Sequence, residues 1–250
     1  MTVPATQTAH PAPPAPPATP PPTASVWEDF VDIFYAPSAV FERRRIGQFG
    51  LALVILIVLS ALLVAGFWNA LQPMFEATVD MTLRQAAAKG QPMPPEAMSA
   101  ARRFGSMFAG VMAVVGVPLA VLFGAFVVWL FGKLLDAPLG FAQAMTVMSF
   151  ANVPRVLGWV VIGVQGLLGD ATKPIFSYML APTRFLDPDT TSTLTMAIWS
   201  RFDLFTLWAT VLIGIGVAVI ARVPRARGFA VAALVWVVAG AFSLLQALTG

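Results

Sequence analysis

The residues of this chain that are best suited to chemistry are a few polar side chains set within long apolar segments. Arg155 lies in the middle of one such segment with Asn152 and Pro154 just before it, and Asp203 opens another. A charge at the centre of a bilayer costs from about 2.5 to over 10 kcal/mol, so such a residue is a functional candidate by default. We therefore take Arg155, Asn152, Pro154 and Asp203 as candidate functional residues, which would line a path through a broken helix.

Arg155 can also be interpreted as a residue without a functional role. Its long side chain could reach towards the membrane surface, or its guanidinium could donate to carbonyls that Pro154 leaves free. Asp136 and Asp203 lie near the ends of their segments, and a helix rises about 1.5 Å per residue. We therefore expect neither carboxylate to reach the depth of Arg155 without a large kink, and both interpretations stay open.

The remaining residue types exclude most kinds of catalytic site. The chain has no cysteine and one histidine, and this residue, His10, lies in a proline-rich tail. Disulfides, thiolate nucleophiles and cysteine-ligated metals are therefore excluded, as is histidine catalysis within a membrane. The apolar segments offer neither a carboxylate pair nor a nucleophile with a base. We expect a protein that is not an enzyme and that carries no cofactor and no metal.

Composition indicates where the chain resides. With 58% hydrophobic and only 11% charged residues among 250, the chain is too apolar to cover a soluble surface. Its net charge of +3 comes from basic residues placed singly or in threes beside apolar segments. That pattern anchors membrane helices and is unlike a nucleic-acid-binding face. We expect an all-α integral membrane protein that contacts the lipid bilayer and no nucleic acid.

The first membrane crossing organises the rest of the chain. Arg43, Arg44 and Arg45 precede the uncharged residues 46–68, which are enough to span a hydrocarbon core of about 30 Å. Arginines at the start of a crossing stay in the cytoplasm, so the amino terminus is predicted to be cytoplasmic. The basic turn at 222–227 agrees with this orientation. We predict a bundle of five transmembrane helices at about 46–68, 108–132, 141–168, 203–221 and 228–248, the third broken at Pro154.

The second crossing carries a row of small residues, Gly116, Ala120 and Gly124. Small residues four apart let two helices in lipid approach closely. The row predicts helix packing within the protein, and the alternative is dimerisation, so a homo-oligomer is one expected assembly.

Residues 1–25 form a Pro/Ala-rich tail ahead of a transmembrane domain, residues 26–250. A segment so poor in large apolar side chains cannot bury enough surface to fold, so the composition predicts disorder. Several P-x-x-P frames leave open the alternative of a ligand for a proline-recognising groove.

A short amphipathic helix precedes the first crossing. Ser25 and Glu28 form a capping-box pattern, and aromatic residues recur at three- and four-residue spacing with acidic residues on other faces. Proline then ends this helix and opens a second one. We expect the aromatic face to lie in the membrane interface against lipid, and the alternative is a docking surface for a cytoplasmic protein. The candidate contact residues are Trp27, Phe30, Asp32, Phe34, Pro37 and Phe41.

Three stretches resemble the Yip domain family, which is named for binding Ypt-type small GTPases. Residues 32–45, DIFYAPSAVFERRR, resemble the family's D-x-F-x-x-P-S-x-x-F entry to the first crossing. Residues 151–158, ANVPRVLG, are similar to its small-polar-Pro segment, and residues 203–228 resemble its fourth crossing and following basic turn. The resemblance implies a five-helix bundle with a cytoplasmic amino terminus, and a link to vesicle traffic in eukaryotic members.

Two functions follow from these observations. The first is a scaffold without catalytic activity that organises membrane or recruits a partner through residues 27–45. The second is a small transporter or channel that uses the broken third helix around Arg155. Arginine supplies 12 of the 15 basic residues, which indicates a GC-rich bacterial genome and hence the bacterial inner membrane.

Overall fold

The computed structural model describes residues 25–88, 90–91, 93–169 and 171–249. The predicted disordered tail lies outside these residues, except for Ser25. The described residues form ten α-helices and two short 3₁₀ helices, at Ile175–Ser177 and Pro182–Phe185. The α-helices are α1 (Val26–Asp32), α2 (Pro37–Arg43), α3 (Gly50–Gly66), α4 (Trp68–Ala88), α5 (Pro95–Leu134), α6 (Phe141–Ala151), α7 (Val153–Leu168), α8 (Thr193–Ser200), α9 (Leu204–Ala221) and α10 (Arg225–Thr249).

Four helical segments are long and apolar enough to cross a membrane. They are α5, the α6–α7 pair, α9 and the Arg225–Leu245 part of α10. The α3–α4 pair meets the same test with a bend of 86°, which gives up to five spans in the described part of the chain. Alone, the 17 residues of α3 rise about 26 Å, close to the thickness of a hydrocarbon core. The predicted fold class, an all-α membrane bundle, is confirmed.

The second crossing is longer than the sequence predicts. The 40 residues of α5 continue through Pro118, and at about 1.5 Å per residue they extend well beyond a bilayer on one side. In the small-residue row, Gly124 packs against Met148 of α6, whereas no other side chain lies within 4 Å of the position of a Cβ on Gly116. The row therefore supports packing within the protein at Gly124, and dimerisation stays a prediction.

Helix α6 lies at the centre of the bundle. Every residue from 144 to 151 is buried, with α5, α9 and α3 packed around the helix. A helix buried on all sides needs apolar or small residues on every face. The hydroxyl of Thr146 donates to the carbonyl of Ala142 at 3.0 Å, so this polar side chain is satisfied within the helix. The ring of Phe150 meets those of Phe30 and Phe41 edge-on, at 6.1 and 6.5 Å between centroids.

A tight turn joins α2 to α3 beside the start of α6. Gly47 has a φ of +96°, and a Cβ there would lie 2.9 Å from the Cβ of Ala142, so only glycine fits without strain. Gln143 donates from Nε2 to the carbonyl of Arg45 at 2.9 Å. At the same end, Arg227 donates to the carbonyl of Asp136 at 3.2 Å. The basic stretches at 43–45 and 222–227 therefore share one end of the bundle.

The opposite end is covered by α4, the 3₁₀ helices and α8. Asp80 and Arg84, whose i, i+4 spacing predicts an ion pair, instead pair with Arg102 at 2.8 Å and with Asp189 at 3.0 Å. These pairs join segments that are distant in sequence, so the two long loops form a folded layer. A second apolar cluster supports this layer: Val64, Leu71, Met74, Phe75, Ile162 and Tyr178.

Candidate functional site

The third crossing is broken at Asn152, between α6 and α7. Pro154 lies in the first turn of α7, where its missing N–H requires no partner. Asn152 donates from Nδ2 to the carbonyl of Met148 at 2.7 Å, and the N–H of Arg155 donates to the carbonyl of Asn152 at 3.0 Å. These bonds satisfy backbone groups that water cannot reach in a membrane. The predicted break is confirmed, and its centre lies two residues before Pro154.

Three cavities meet at Arg155. The largest, of about 390 Å³, lies between α7, the start of α9 and the outer loop, and two others measure about 120 and 180 Å³. Arg155 exposes surface to these cavities although its guanidinium lies deep among protein atoms. Within the described part of the chain, this guanidinium makes no hydrogen bond and no direct ion pair. The interpretation in which it donates to carbonyls freed by Pro154 is therefore wrong.

Asp203 borders the same cavity as Arg155, so the prediction that it cannot reach that depth is wrong. Helix α9 begins at Leu204, beside the first half of α7. The ring of Phe205 lies 3.0 Å from the position that a Cβ on Gly158 would occupy. The Asp203 carboxylate attracts Arg155. Its Oδ1 also accepts from the N–H groups of Phe205 at 3.1 Å and Thr206 at 3.0 Å, which caps α9.

Arg201 is a second cation on this cavity that the sequence analysis missed. It donates from Nη2 to the carbonyl of Trp236 at 2.9 Å, and its guanidinium carbon lies 5.4 Å from the centre of that indole ring. Its Nε is buried without a hydrogen-bond partner among the described residues. Arg155 repels it electrostatically. The sequence feature that could have identified Arg201 is its position two residues before Asp203, in a short polar stretch between two apolar helices.

A second cluster of charges lies at the other end, where α1 and α2 fold onto the bundle. We call residues 25–45 the entry cap. The carboxylate of Asp29 is fully buried and accepts from Arg43 Nη2 at 2.7 Å and from Arg44 Nε at 2.5 Å. Asp32 accepts from Arg43 at 2.5 Å and from the hydroxyl of Tyr35 at 2.8 Å. The Tyr35 hydrogen bond, and after it the Arg43 bond, lower the pKa of Asp32 below its ordinary value.

The inner face of the entry cap differs from the expectation that its aromatic residues lie against lipid. Phe30 and Phe41 are buried against Phe150 of α6, and Phe41 also contacts Gly216 of α9. The expectation is wrong for these two residues, because hydrophobic periodicity does not distinguish a protein neighbour from a lipid neighbour.

The outer face of α1 carries a different set of residues. Trp27 and Val31 of α1 are 60% and 59% exposed, and Tyr35, in the turn that follows α1, continues the four-residue spacing at 71%. We call these three residues the outer stripe. Of the other candidate contact residues, Phe34 and Pro37 are half-buried. The predicted capping box is confirmed: Ser25 N–H donates to the Glu28 carboxylate at 2.8 Å, and Glu28 N–H donates to the Ser25 hydroxyl at 3.3 Å.

Neither charged region has the ligand geometry of a metal site. In the part of the chain that the structure describes, no three His, Asp or Glu side chains are grouped so that they could hold an ion.

These features define a class of protein: a helical membrane bundle with a folded amino-terminal cap at one end and a charged cavity near the other. A model of the Yip1 domain matches residues 31–246. The chain belongs to the Yip1 domain family, and the resemblance of its three stretches to that family is confirmed. No curated protein and no solved structure matches the chain. The matched region contains the cavity, Arg43 and Arg44, and begins two residues after Asp29.

Proposed function

We propose that this Yip1-domain protein is a scaffold without catalytic activity, which organises membrane by recruiting a protein partner through its entry cap. The observation that carries this proposal is the outer stripe, three exposed apolar or aromatic side chains on α1 and the turn that follows it. Buried Phe30 and Phe41 and the ion pairs of Asp29 hold this face in a fixed position. A rigid apolar face beside a polar one suits a specific contact, because little side-chain entropy is lost on binding.

A protein partner fits the outer stripe better than the membrane surface does. Helices that lie on anionic membranes carry Lys and Arg on their polar face. Helix α1 has no basic residue and contains Glu28, Asp29 and Asp32. Arg43 and Arg44, at the end of the cap, form ion pairs with Asp29 and Asp32, so their charges are neutralised within the cap. Because Asp29 and Asp32 are already paired within the cap, the exposed aromatic and apolar side chains favour an apolar protein surface.

Purification from the native membrane in a mild detergent, with mass spectrometry of the proteins that accompany the tagged chain, tests the proposal. We expect a stoichiometric partner that is lost on Val31→Asp. Ser38→Asp is the matched control, because it adds the same charge at an exposed position of α2 outside the stripe. Equal recovery of the same proteins with both variants, or no stoichiometric protein at all, would contradict recruitment through this face. Phe30→Asp is unsuitable, because it would disrupt the buried side of the cap.

The proposed orientation places the entry cap in the cytoplasm, with the protein in the inner membrane of a bacterium. Its support is the grouping of the basic stretches 43–45 and 222–227 at one end, together with the cytoplasmic preference of Lys and Arg in short loops. The chain lacks cysteine, so single variants Thr2→Cys, Ala87→Cys, Thr190→Cys and Ala226→Cys can be labelled cleanly. We expect labelling of Ala87→Cys and Thr190→Cys from outside only; labelling of Ala87→Cys from the cytoplasm alone would reverse the orientation.

Transport is the second candidate, and it is favoured by the meeting of three cavities at Arg155 beside the break at Asn152. Broken helices line substrate paths in many transporters. On this hypothesis Arg155→Leu abolishes activity while membrane insertion is unchanged. Complementation by the Arg155→Leu variant at the wild-type level would contradict it.

A further inference from the structure

The largest of the three cavities at Arg155 has the size and lining of a small-ligand site. Its volume of about 390 Å³ falls within the range of known ligand pockets, about 300 to 1,000 Å³. Apolar side chains such as Trp159 and Ile162 form much of its wall, and the charged groups Arg155, Arg201 and Asp203 converge on it. An apolar wall with a few convergent polar groups is the usual composition of a binding pocket.

The charges around this cavity leave an excess of hydrogen-bond donors. Arg155 has five N–H donors, and its guanidinium has no hydrogen-bond partner among the described residues. Arg201 uses Nη2 on the Trp236 carbonyl, and its Nε is covered, 3.4 Å from the position of a Cβ on Gly240. Its Nη1 has no hydrogen bond among the described residues. The Oδ1 of Asp203 accepts hydrogen bonds from the N–H groups of Phe205 and Thr206 at the start of α9. One carboxylate thus faces two guanidinium groups, which repel each other.

The guanidinium groups of Arg155 and Arg201 line one open, partly apolar cavity and repel each other. An anion between them would supply acceptors and offset this repulsion. The planar fork of arginine matches the two oxygens of a phosphate or phosphodiester, which it binds with two parallel hydrogen bonds. Thr206 also borders the cavity and offers a hydroxyl donor, whereas the hydroxyl of Ser200 donates to the carbonyl of Ala197 at 2.9 Å.

We propose that the cavity between α7 and α9 binds an anion of the phosphate class between the guanidinium groups of Arg155 and Arg201. Two sources share this chemistry, the phosphodiester of a lipid headgroup and a soluble phosphate. Asp203 limits the positive charge of the site to a net of one, which suits a singly charged anion. The site lies at the end of the bundle opposite the entry cap, so it is independent of the proposed recruitment of a partner.

Binding is measured on the full chain, purified in mild detergent and stripped of lipid. One arm titrates inorganic phosphate at constant ionic strength, and the other adds phosphatidylglycerol to the micelles. The readouts are the number of bound molecules by native mass spectrometry and the rise in melting temperature. We expect one saturable site for at least one probe. Saturation by phosphatidylglycerol alone identifies a headgroup site, and saturation by inorganic phosphate identifies a site for a soluble anion.

Two arginine variants test the position of the site. Arg155→Gln and Arg201→Gln should each weaken binding at least about tenfold, because each removes a charge-assisted contact. Arg225→Gln is the matched control, since it removes an exposed arginine at the far end of the bundle and should bind as the wild type does. If Arg155→Gln does not fold, Arg155→Lys keeps the charge without the fork and should give an intermediate affinity.

Asp203→Asn separates a binding site from a merely structural cluster. Asparagine caps a helix as well as aspartate does, and its neutral side chain raises the net charge around the cavity by one. We therefore expect Asp203→Asn to tighten anion binding by about threefold or more. The proposal is overturned if neither probe saturates the wild type, if both glutamine variants bind as the wild type does, or if Asp203→Asn binds as weakly as Arg155→Gln.

Discussion

The entry cap and the Arg155 cavity place charges in apolar surroundings in opposite ways. In the cap, the buried carboxylate of Asp29 is bonded directly to Arg43 and Arg44. At the cavity, Arg155 faces Asp203 and Arg201 across open space, without a direct ion pair. Both clusters contain two arginines close to a buried aspartate, so the difference is one of geometry and not of residue type.

This difference separates a structural role from a binding role. A charge bonded in contact has its desolvation offset by its partner, and removing the partner leaves an uncompensated charge. A charge that borders a cavity has unused donors that a ligand can meet. We therefore expect the cap to govern stability and the cavity to govern binding, and the following variants test that division in order of expected effect.

Removing the main aromatic contact of the cap should have the largest effect. Phe41 is fully buried, and we expect Phe41→Ala to lower the free energy of unfolding by about 3 to 5 kcal/mol through the lost contacts and the remaining cavity. Thermal unfolding in detergent measures this. Phe104→Ala, at a position that is 74% exposed, is the control and should change stability by less than about 0.5 kcal/mol. Equal melting of Phe41→Ala and wild type would show that the cap is not part of the folded core.

Asp29→Asn should lower the free energy of unfolding by slightly less, about 3 kcal/mol, because it leaves Arg43 and Arg44 without their shared counter-charge. The same melting experiment measures the change, together with protease cleavage within residues 25–45. Glu42→Gln serves as the control: its pair with Arg45 is at 3.7 Å and exposed, so a loss below about 0.5 kcal/mol is expected. A similar loss for both variants would remove the distinction between buried and exposed pairs in the cap.

Arg155→Met should change stability by no more than about 1 kcal/mol, in contrast to Asp29→Asn. The substitution leaves no hydrogen-bonding group unpaired among the described residues, because the Arg155 guanidinium has no partner there. It also removes the repulsion between Arg155 and Arg201, and Asp203 keeps its helix-capping bonds. The melting temperature without added anion is the measurement. A loss above about 2 kcal/mol would assign Arg155 a structural role like that of Asp29.

Acid should weaken the cap slightly through Asp32. The pKa of Asp32 in the folded protein lies below the ordinary value of 3.8. The ionised carboxylate therefore stabilises the cap fully at a pH above 3.8, and this stabilisation is lost as the pH falls through the lowered pKa. The melting-temperature difference between wild type and Asp32→Asn should be constant from about pH 7 to pH 5 and shrink below about pH 4. A difference that stays constant at lower pH would exclude this contribution.

The sequence determined the parts of this protein that depend on local chain properties. Length and hydropathy identified the membrane crossings, and the Ser25 and Glu28 spacing identified a helix cap. Proline and asparagine marked the break in the third crossing, and three short stretches identified the family. Each of these signals lies within one segment, because helix caps, breaks and spans are governed by neighbouring residues.

Only the tertiary structure decided which segments meet and at what depth. Arg155 and Asp203 share a cavity because α9 begins beside the first half of α7. Phe41 faces Gly216 and not lipid because the entry cap folds back onto α9. In a membrane, an apolar face is compatible with lipid and with protein alike, so hydrophobicity alone cannot select between them; close packing of complementary surfaces does.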